Sequence, residues 1–278
     1  MSGESAVKPA RAPRPLRDAD LVYCYDGSFA GFLCCVFASF ARHELPFAIW
    51  PPEREQATLY PAVEIPTEED KARRVFRAYC RLAGASGRRL LTRAFLSGEA
   101  DRELRLLRFL HLVFAEGGRA LLLLGHADVA PVYAMDKAVV RETEHLMGFI
   151  RFEEAGGMLG AVIHPKNQVL PLLKGHFCGR YPEERFLIYD AAHGTALLYH
   201  PHEAQLLRLD APLALPPPDE REQYYQALWK QFYRTLSIEA RRNEKQRRTM
   251  CSKRFWADMV ELRKEAGAPV RDKRDVLG

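Results

Sequence analysis

The chain has 278 residues, of which 47% are hydrophobic and 28% charged, and its formal net charge is +5. This composition is that of a globular protein with a core of its own, and no apolar run reaches the ~18 residues of a membrane span or forms a signal peptide at the start. The six cysteines form no CxxC pair, which predicts free thiols in a reducing cytoplasm and excludes an iron–sulfur cluster of the usual spacing.

The N-terminal part predicts a tail, a strand and a helix. Residues 1–20 mix Ala, Pro and Arg and predict a disordered tail. "LVYCYDGS", residues 21–28, predicts a strand that ends in an Asp-Gly turn, with Ser28 as the cap of the next helix. Apolar side chains recur at helical spacing over 29–40. An extended piece follows at 47–50.

The next part predicts mostly helix. A second extended piece is expected at 62–65, and residues 67–145 are expected to be helical. Thr67 precedes three acidic residues and predicts a helix cap. Gly84 and Gly87 predict a break in the first of these helices.

After Gly148 the pattern changes to short apolar runs around glycines. "GFIRFEE" and "GMLGAVIHP" predict a β-hairpin, and "FLIYDA" and "GTALLYH" predict a second one. "NQVLPLLKGHFCGRYP" lies between them and predicts a helix. The fold class is therefore α+β: a helical N-terminal half, an antiparallel sheet of two hairpins around a helix, and basic C-terminal helices.

Composition also predicts the domain organisation. After the tail, an α+β core is expected over 21–210. A proline-rich linker is expected over 211–219. Residues 220–278 predict a helical basic segment that packs on the core.

The basic stretch, residues 230–254, carries nine Lys/Arg and two Glu, so its net charge is +7 and about −2 is left for the rest of the chain. The excess positive charge is therefore interpreted as belonging to this one stretch, where it favours the binding of polyanions. Composition leaves two equal alternatives, a polyanion contact and a solvated helix face. Phe255 and Trp256 are assigned mainly to packing. The residues expected to contact nucleic acid are Arg241, Arg242, Lys245, Arg247, Arg248, Lys253 and Arg254.

The motifs of phosphate-binding loops, dinucleotide folds, zinc proteases and serine hydrolases are absent. No metal site or cofactor is predicted. His176 ends a predicted helix and is expected to meet the strand that carries Asp190, which would make a minimal acid–base pair. Arg151 is the third candidate of this catalytic group. The competing interpretation is structural: a hydrogen-bonded histidine at a helix end and a solvated ion pair on the strand.

Four segments together resemble a bacterial family assigned to DNA metabolism or DNA repair. Each segment alone is weak, whereas their order along nearly the whole chain is fairly specific. The segments are "YDGSFAGFL", "EHLMGFIRFEE", "LPLLKGHFCGRYPEERFLIYD" and "LWKQFYRTLSIEARRNEKQRRTM" followed by "KRFW".

This resemblance implies a setting in DNA repair without an established reaction. It implies a radical-SAM protein of DNA modification or repair as partner, and an association with uracil-DNA-glycosylase-like domains. The leading hypothesis is a cytoplasmic DNA-binding protein that acts with this partner. One alternative is a DNA-acting enzyme, glycosylase- or nuclease-like, which uses His176, Asp190 and Arg151. The other is a protein-interaction subunit whose basic segment docks on an acidic partner.

The chain also departs from the family pattern at two places. The family has Met-Pro where this chain has Met250-Cys251-Ser252, and a basic residue at the position of His193. The positions that match the family are Tyr25, Asp26, Gly27, Ser28, His145, Gly148, Arg151, Phe152, His176, Phe177, Arg180, Asp190, Arg242, Asn243, Gln246, Arg254 and Trp256.

Overall fold

The computed structural model divides the chain into two compact units, Met1–Asp136 and Lys137–Gly278. They are called unit one and unit two below. The residues that the structure describes are 16–54, 58–155, 157–213, 219–236, 245–246, 253–257 and 259–262.

Six α-helices and eight β-strands lie in the described part of the chain. The strands are β1 (Arg17–Cys24), β2 (Glu44–Trp50), β3 (Ala62–Glu64), β4 (Glu153–Ala155), β5 (Met158–Ile163), β6 (Phe186–Asp190), β7 (Thr195–His200) and β8 (Glu203–Arg208). The helices are α1 (Phe29–Arg42), α2 (Glu69–Phe95), α3 (Arg102–Glu116), α4 (Ala130–Phe149), α5 (Leu170–Arg180) and α6 (Glu220–Leu236). None of the described helices is long and apolar enough to cross a membrane.

Unit one is built on a three-stranded sheet of order β2-β1-β3, in which β1 runs parallel to both neighbours. The helix predicted after the "YDGS" turn is confirmed as α1. The prediction for Ser28 is also confirmed, because its hydroxyl accepts a hydrogen bond from the N–H of Gly31 at 2.9 Å. One predicted boundary is wrong: β1 begins at Arg17, inside the predicted tail.

Helix α2 shows one confirmed prediction and one correction. Gly84 has φ 65° and kinks the helix where a break was predicted. Glu68, not Thr67, occupies the cap position, and it makes no side-chain capping bond. The hydroxyl of Thr67 instead donates to Oδ2 of Asp26 at 2.8 Å. A tertiary partner 41 residues away thus takes the place of the local cap.

Unit two contains a five-stranded sheet of order β4-β5-β6-β7-β8. The two predicted hairpins are confirmed as β4–β5 and β6–β7, and the α+β class is confirmed. The sheet is mixed rather than purely antiparallel, because β5 and β6 pair in parallel. Helix α5 lies between them in sequence and returns the chain to the same end of the sheet, which is what a parallel pair requires.

The core of unit two joins the sheet, α5 and the C-terminal aromatic residues. Phe177 of α5 and Phe186 of β6 are buried in it. Phe255 is only 1% exposed, and Trp256 packs partly buried against the same cluster. Their assignment to packing is confirmed. Of the predicted linker, residues 214–218 lie outside the described residues.

Candidate functional site

Two neighbouring strands of unit two end at the same edge of the sheet, because β5 and β6 are parallel. Their last residues, Ile163 and Asp190, are paired in register. The N–H of Ala191 donates to the carbonyl of Ile163 at 3.0 Å. In open α/β sheets, ligands bind at the carboxyl ends of parallel strands, where the loops converge, and β5 and β6 form one such parallel pair. Residues 163–169 and 190–194 are called the carboxyl edge below.

A buried carboxylate organises the turn at the end of β6. Asp190 is 0% exposed. Its Oδ1 accepts from the N–H of Ala192 at 3.0 Å and from the N–H of His193 at 3.1 Å. Its Oδ2 lies 2.7 Å from Nδ1 of His193. The carboxylate therefore fixes both the backbone of the turn and the orientation of one imidazole ring.

The His193 ring is arranged for proton transfer. When the carboxylate is ionised it can only accept, so a neutral His193 ring then donates from Nδ1 and leaves a lone pair on Nε2. The side chain is 20% exposed, and no described residue bonds its Nε2. A histidine that a buried carboxylate orients in this way can act as a general base.

A second buried carboxylate fixes the loop after β5. Glu142 of α4 is 2% exposed, and its Oε1 accepts from the N–H of Lys166 at 2.8 Å. Its Oε2 accepts from the N–H of Asn167, also at 2.8 Å, and from the amide group of that side chain. Asn167 is 4% exposed. Both loops of the carboxyl edge are thus held by acids, and His164 is exposed at the end of β5.

The predicted pair of His176 and Asp190 is not formed, since Asp190 bonds His193 instead. Nε2 of His176 is buried and has no hydrogen-bond partner among the described residues, and its ring packs edge-on against Phe177. His193 stands three residues after Asp190 in the same turn and reaches the carboxylate without any tertiary contact. The Asp-x-x-His spacing at a strand end was the signal in the sequence that could have found this pair.

The third predicted catalytic residue, Arg151, lies in another environment. Its guanidinium stands over the ring of Trp229, with 4.5 Å from Cζ to the ring centroid, and its buried Nε has no hydrogen-bond partner among the described residues. This contact joins the segment before β4 to α6. No group of three or more His, Cys, Asp or Glu suited to a metal ion occurs in the described part of the chain.

Only part of the basic stretch is described. Lys245 and Lys253 are exposed, and the ammonium group of Lys253 stands 5.8 Å from the ring centroid of Trp256. The side chain of Arg254 and the whole of Arg241, Arg242, Arg247 and Arg248 lie outside the described residues.

The "YDGS" turn lies at the carboxyl ends of the parallel strands of unit one, beside a cavity of about 280 Å³. Oδ1 of Asp26 accepts from the N–H of Ser28 at 2.9 Å and from its hydroxyl at 2.7 Å. Burial alone would raise the pKa of Asp26, but the bonds from Ser28 and Thr67 outweigh it and hold the pKa below its usual value. The carboxylate thus holds the turn and the start of α1 through Ser28.

Comparison with known families identifies the region that contains the carboxyl edge. Residues 100–261, more than half of the chain, match a family described as Domain of unknown function (DUF4130). The chain belongs to this family. The DUF4130 region contains Glu142, Asp190 and His193 as well as the basic stretch. No curated protein and no solved structure matches the chain significantly.

Proposed function

We propose that the protein is a cytoplasmic nucleic-acid-binding component of DNA metabolism or repair, and that it acts with a radical-SAM partner which supplies the redox chemistry. The observation that carries this proposal is the net charge of +7 on residues 230–254. Several cations close together along the chain are what neutralisation of a phosphate backbone requires. The resemblance of four ordered segments to a DNA repair family supports the same setting.

The structure on either side of the basic stretch supports the proposal that this stretch can contact a ligand. At its start, Nε1 of Trp229 donates to Oε2 of Glu261 at 3.0 Å, and Arg151 covers the Trp229 ring. At its end, Phe255 is buried in the core of unit two. Both flanks are therefore held, while the described Lys245 between them is exposed.

The test is the binding of a fluorescent 20-base-pair duplex over a range of salt concentrations. We expect log K to fall steeply with log salt, and the double variant Arg241→Gln/Arg248→Gln to lower the slope by about 1.8, which corresponds to two phosphate contacts. The control is Arg141→Gln/Arg185→Gln, which removes the same charge from exposed positions of unit two. Equal slopes for the wild type and the test variant would contradict the proposal.

A protein partner is the competing outcome of the same experiment. If the duplex does not bind but a radical-SAM or uracil-DNA-glycosylase-like protein co-purifies through the basic stretch after nuclease treatment, the chain is a protein-interaction subunit. Loss of that co-purification in Arg241→Gln/Arg248→Gln would show that these two arginines contribute to the contact with the protein partner.

The Asp190–His193 pair favours a second candidate function, a DNA-acting hydrolase of the glycosylase or nuclease type. Nε2 of His193 would take a proton from water as the water oxygen bonds to the sugar carbon or to the phosphorus, while the bond to the leaving base or oxygen breaks. Asp190 would stabilise the imidazolium, which would then give its proton to the leaving group. We expect His193→Gln and Asp190→Asn to abolish cleavage of damaged or uracil-containing oligonucleotides, with no change in duplex affinity. His200→Gln, an exposed histidine of the same sheet, is the matched control. Full activity of His193→Gln would remove this candidate.

A further inference from the structure

Helix α2 is the second basic segment of the chain. From Lys71 to Phe95 it carries eight Lys/Arg and no acidic residue, a net charge of +8. Together with the +7 of residues 230–254, this leaves −10 on the rest of a chain whose net charge is +5. The interpretation that the basicity belongs to one place is therefore wrong. Surface helices usually mix the two signs, because like charges one turn apart repel each other.

Four of these arginines line one groove on unit one, with a volume of about 620 Å³. Three of them follow at intervals of four residues, so they lie along one face of the helix and span about 12 Å. The other two lining residues are Asp70 and Cys80. The arginines are Arg73, Arg74, Arg77 and Arg81, and all four are exposed.

The charge of the groove is largely free. Nη1 of Arg73 lies 3.9 Å from Oδ1 of Asp70, whose side chain is 100% exposed, so this ion pair is weak. Cζ of Arg74 stands 6.0 Å from the ring centroid of Phe37. Arg77 and Arg81 make no ion pair with any residue that the structure describes.

The cations at the two ends of α2 behave differently. Lys71 is paired with Glu68 at 2.5 Å. Arg93 donates two bonds to Asp136, at 2.6 and 2.9 Å. These pairs serve the fold, whereas Arg77 and Arg81 between them line the groove and make no ion pair with a described residue.

We propose that this groove, named the α2 groove, binds the phosphodiester backbone of a nucleic acid. Arginine suits this ligand because its planar guanidinium donates two parallel bonds to a phosphate. Over about 12 Å, one strand of B-form DNA presents three to four phosphates, which matches the row of arginines. The site lies on unit one and is separate in sequence from the basic stretch, so it does not depend on the contacts proposed for residues 241–254.

The shape of α2 favours a nucleic acid over a membrane surface. Helices that lie on membranes insert a free apolar face. The apolar face of α2 is already used, since Val75, Tyr79 and Leu90 are buried in the core of unit one. A shallow, arginine-lined recess along one face of α2, without a free apolar face, fits a charged strand.

The test compares two double variants that remove the same charge. Arg77→Gln/Arg81→Gln removes two unpaired arginines of the α2 groove, and Arg89→Gln/Arg108→Gln removes two exposed arginines outside it. Binding of a fluorescent 20-base-pair duplex is measured over a range of salt concentrations. We expect the first variant to lower the slope of log K against log salt by about 1.8, and the affinity at 0.1 M salt by on the order of 50-fold. The second variant should change the slope little.

Several results would overturn the proposal. One is an equal loss in both double variants, which would make the effect one of net charge. Another is unchanged duplex binding by Arg77→Gln/Arg81→Gln. A third is binding of phosphatidylserine vesicles or polyglutamate that depends more on Arg77 and Arg81 than duplex binding does. If Arg241→Gln/Arg248→Gln alone weakens duplex binding, the function proposed above stands and the α2 groove does not.

Discussion

Oδ2 of Asp190 lies 2.7 Å from Nδ1 of His193, and the carboxylate has no exposure to solvent. The same carboxylate accepts two backbone bonds of the turn between β6 and β7. One acidic side chain therefore both closes a hairpin and sets the tautomer of an imidazole at the carboxyl edge. These two roles can be separated by substitution.

Asp190→Ala should lower the free energy of unfolding by about 3 kcal/mol, because it removes the buried carboxylate that accepts two backbone bonds and one ring bond of the turn. Asp190→Asn keeps one oxygen for the turn and should cost about 1 kcal/mol, while the NH2 group that replaces Oδ2 cannot accept from Nδ1 of His193. Urea unfolding measures the loss of stability, and the ¹⁵N chemical shifts of the His193 ring report whether its hydrogen bond to residue 190 is lost. The control is the exposed Asp210→Ala, expected within ~0.5 kcal/mol of wild type. An equal loss in the control would refute the role of Asp190.

Glu103→Ala should destabilise unit one by about 3–5 kcal/mol, because it leaves a buried arginine without its partner. Oε1 of Glu103 accepts from Nε of Arg102 at 2.7 Å and from the hydroxyl of Tyr25 at 3.0 Å. Glu116 pairs with Arg119 at the surface, so Glu116→Ala should cost at most about 1 kcal/mol. Thermal and urea unfolding of both variants provide the comparison, and equal costs would contradict the expectation.

The stability of unit one should fall on acidification through the titration of His111. Burial lowers the pKa of His111 from 6.5 to about 4. Its Nε2 lies 2.8 Å from Oγ of Ser39, whose proton goes to the carbonyl of Glu44, so Nε2 donates. As the pH falls below 6.5 the unfolded chain binds a proton at this residue, whereas the folded chain does not until about pH 4. The lost stability, discounted for partial exposure, is about 2 kcal/mol between these pH values.

The measurement for His111 is the free energy of unfolding of wild type and His111→Gln from pH 7.5 to 3.5. The difference between the two curves should change between pH 6.5 and 4 and stay level outside this window. Parallel curves would show that the ring does not titrate differently in the folded state.

Two glycine-to-alanine substitutions should change the free energy of unfolding in opposite directions. A Cβ on Gly31 would lie 2.2 Å from Oδ1 of Asp26 and 2.8 Å from Oγ1 of Thr67, so Gly31→Ala should disrupt this turn and cost about 1–3 kcal/mol. A Cβ on Gly148 of α4 would meet nothing within 4 Å, and Gly148→Ala should stabilise by about 0.5–1 kcal/mol. Melting temperatures check both. A stable Gly31→Ala would show that the contact of α1 with the turn can relax.

Three predictions that rest on neighbours in sequence are confirmed. Ser28 caps α1, Gly84 kinks α2, and two hairpins flank α5. In each case the deciding interaction spans a few residues, so residue type and spacing are sufficient to predict it.

Partners that depend on the fold were missed. Thr67 was predicted to cap its own helix, but it bonds Asp26 41 residues away. Glu142, which holds the loop after β5, received no role because its partner Asn167 is brought to it only by packing. The arginines of α2 are a different case, since their count was visible in the sequence and only their shared groove was not.

The sequence by itself determined the α+β class and most helices and strands, because these follow from local periodicity and composition. Tertiary structure alone decided that β5 and β6 run parallel and that His164 and the Asp190–His193 turn share one edge of a sheet. The physical reason is that strand pairing brings together residues distant in the chain, and no local pattern encodes which strand will be the neighbour.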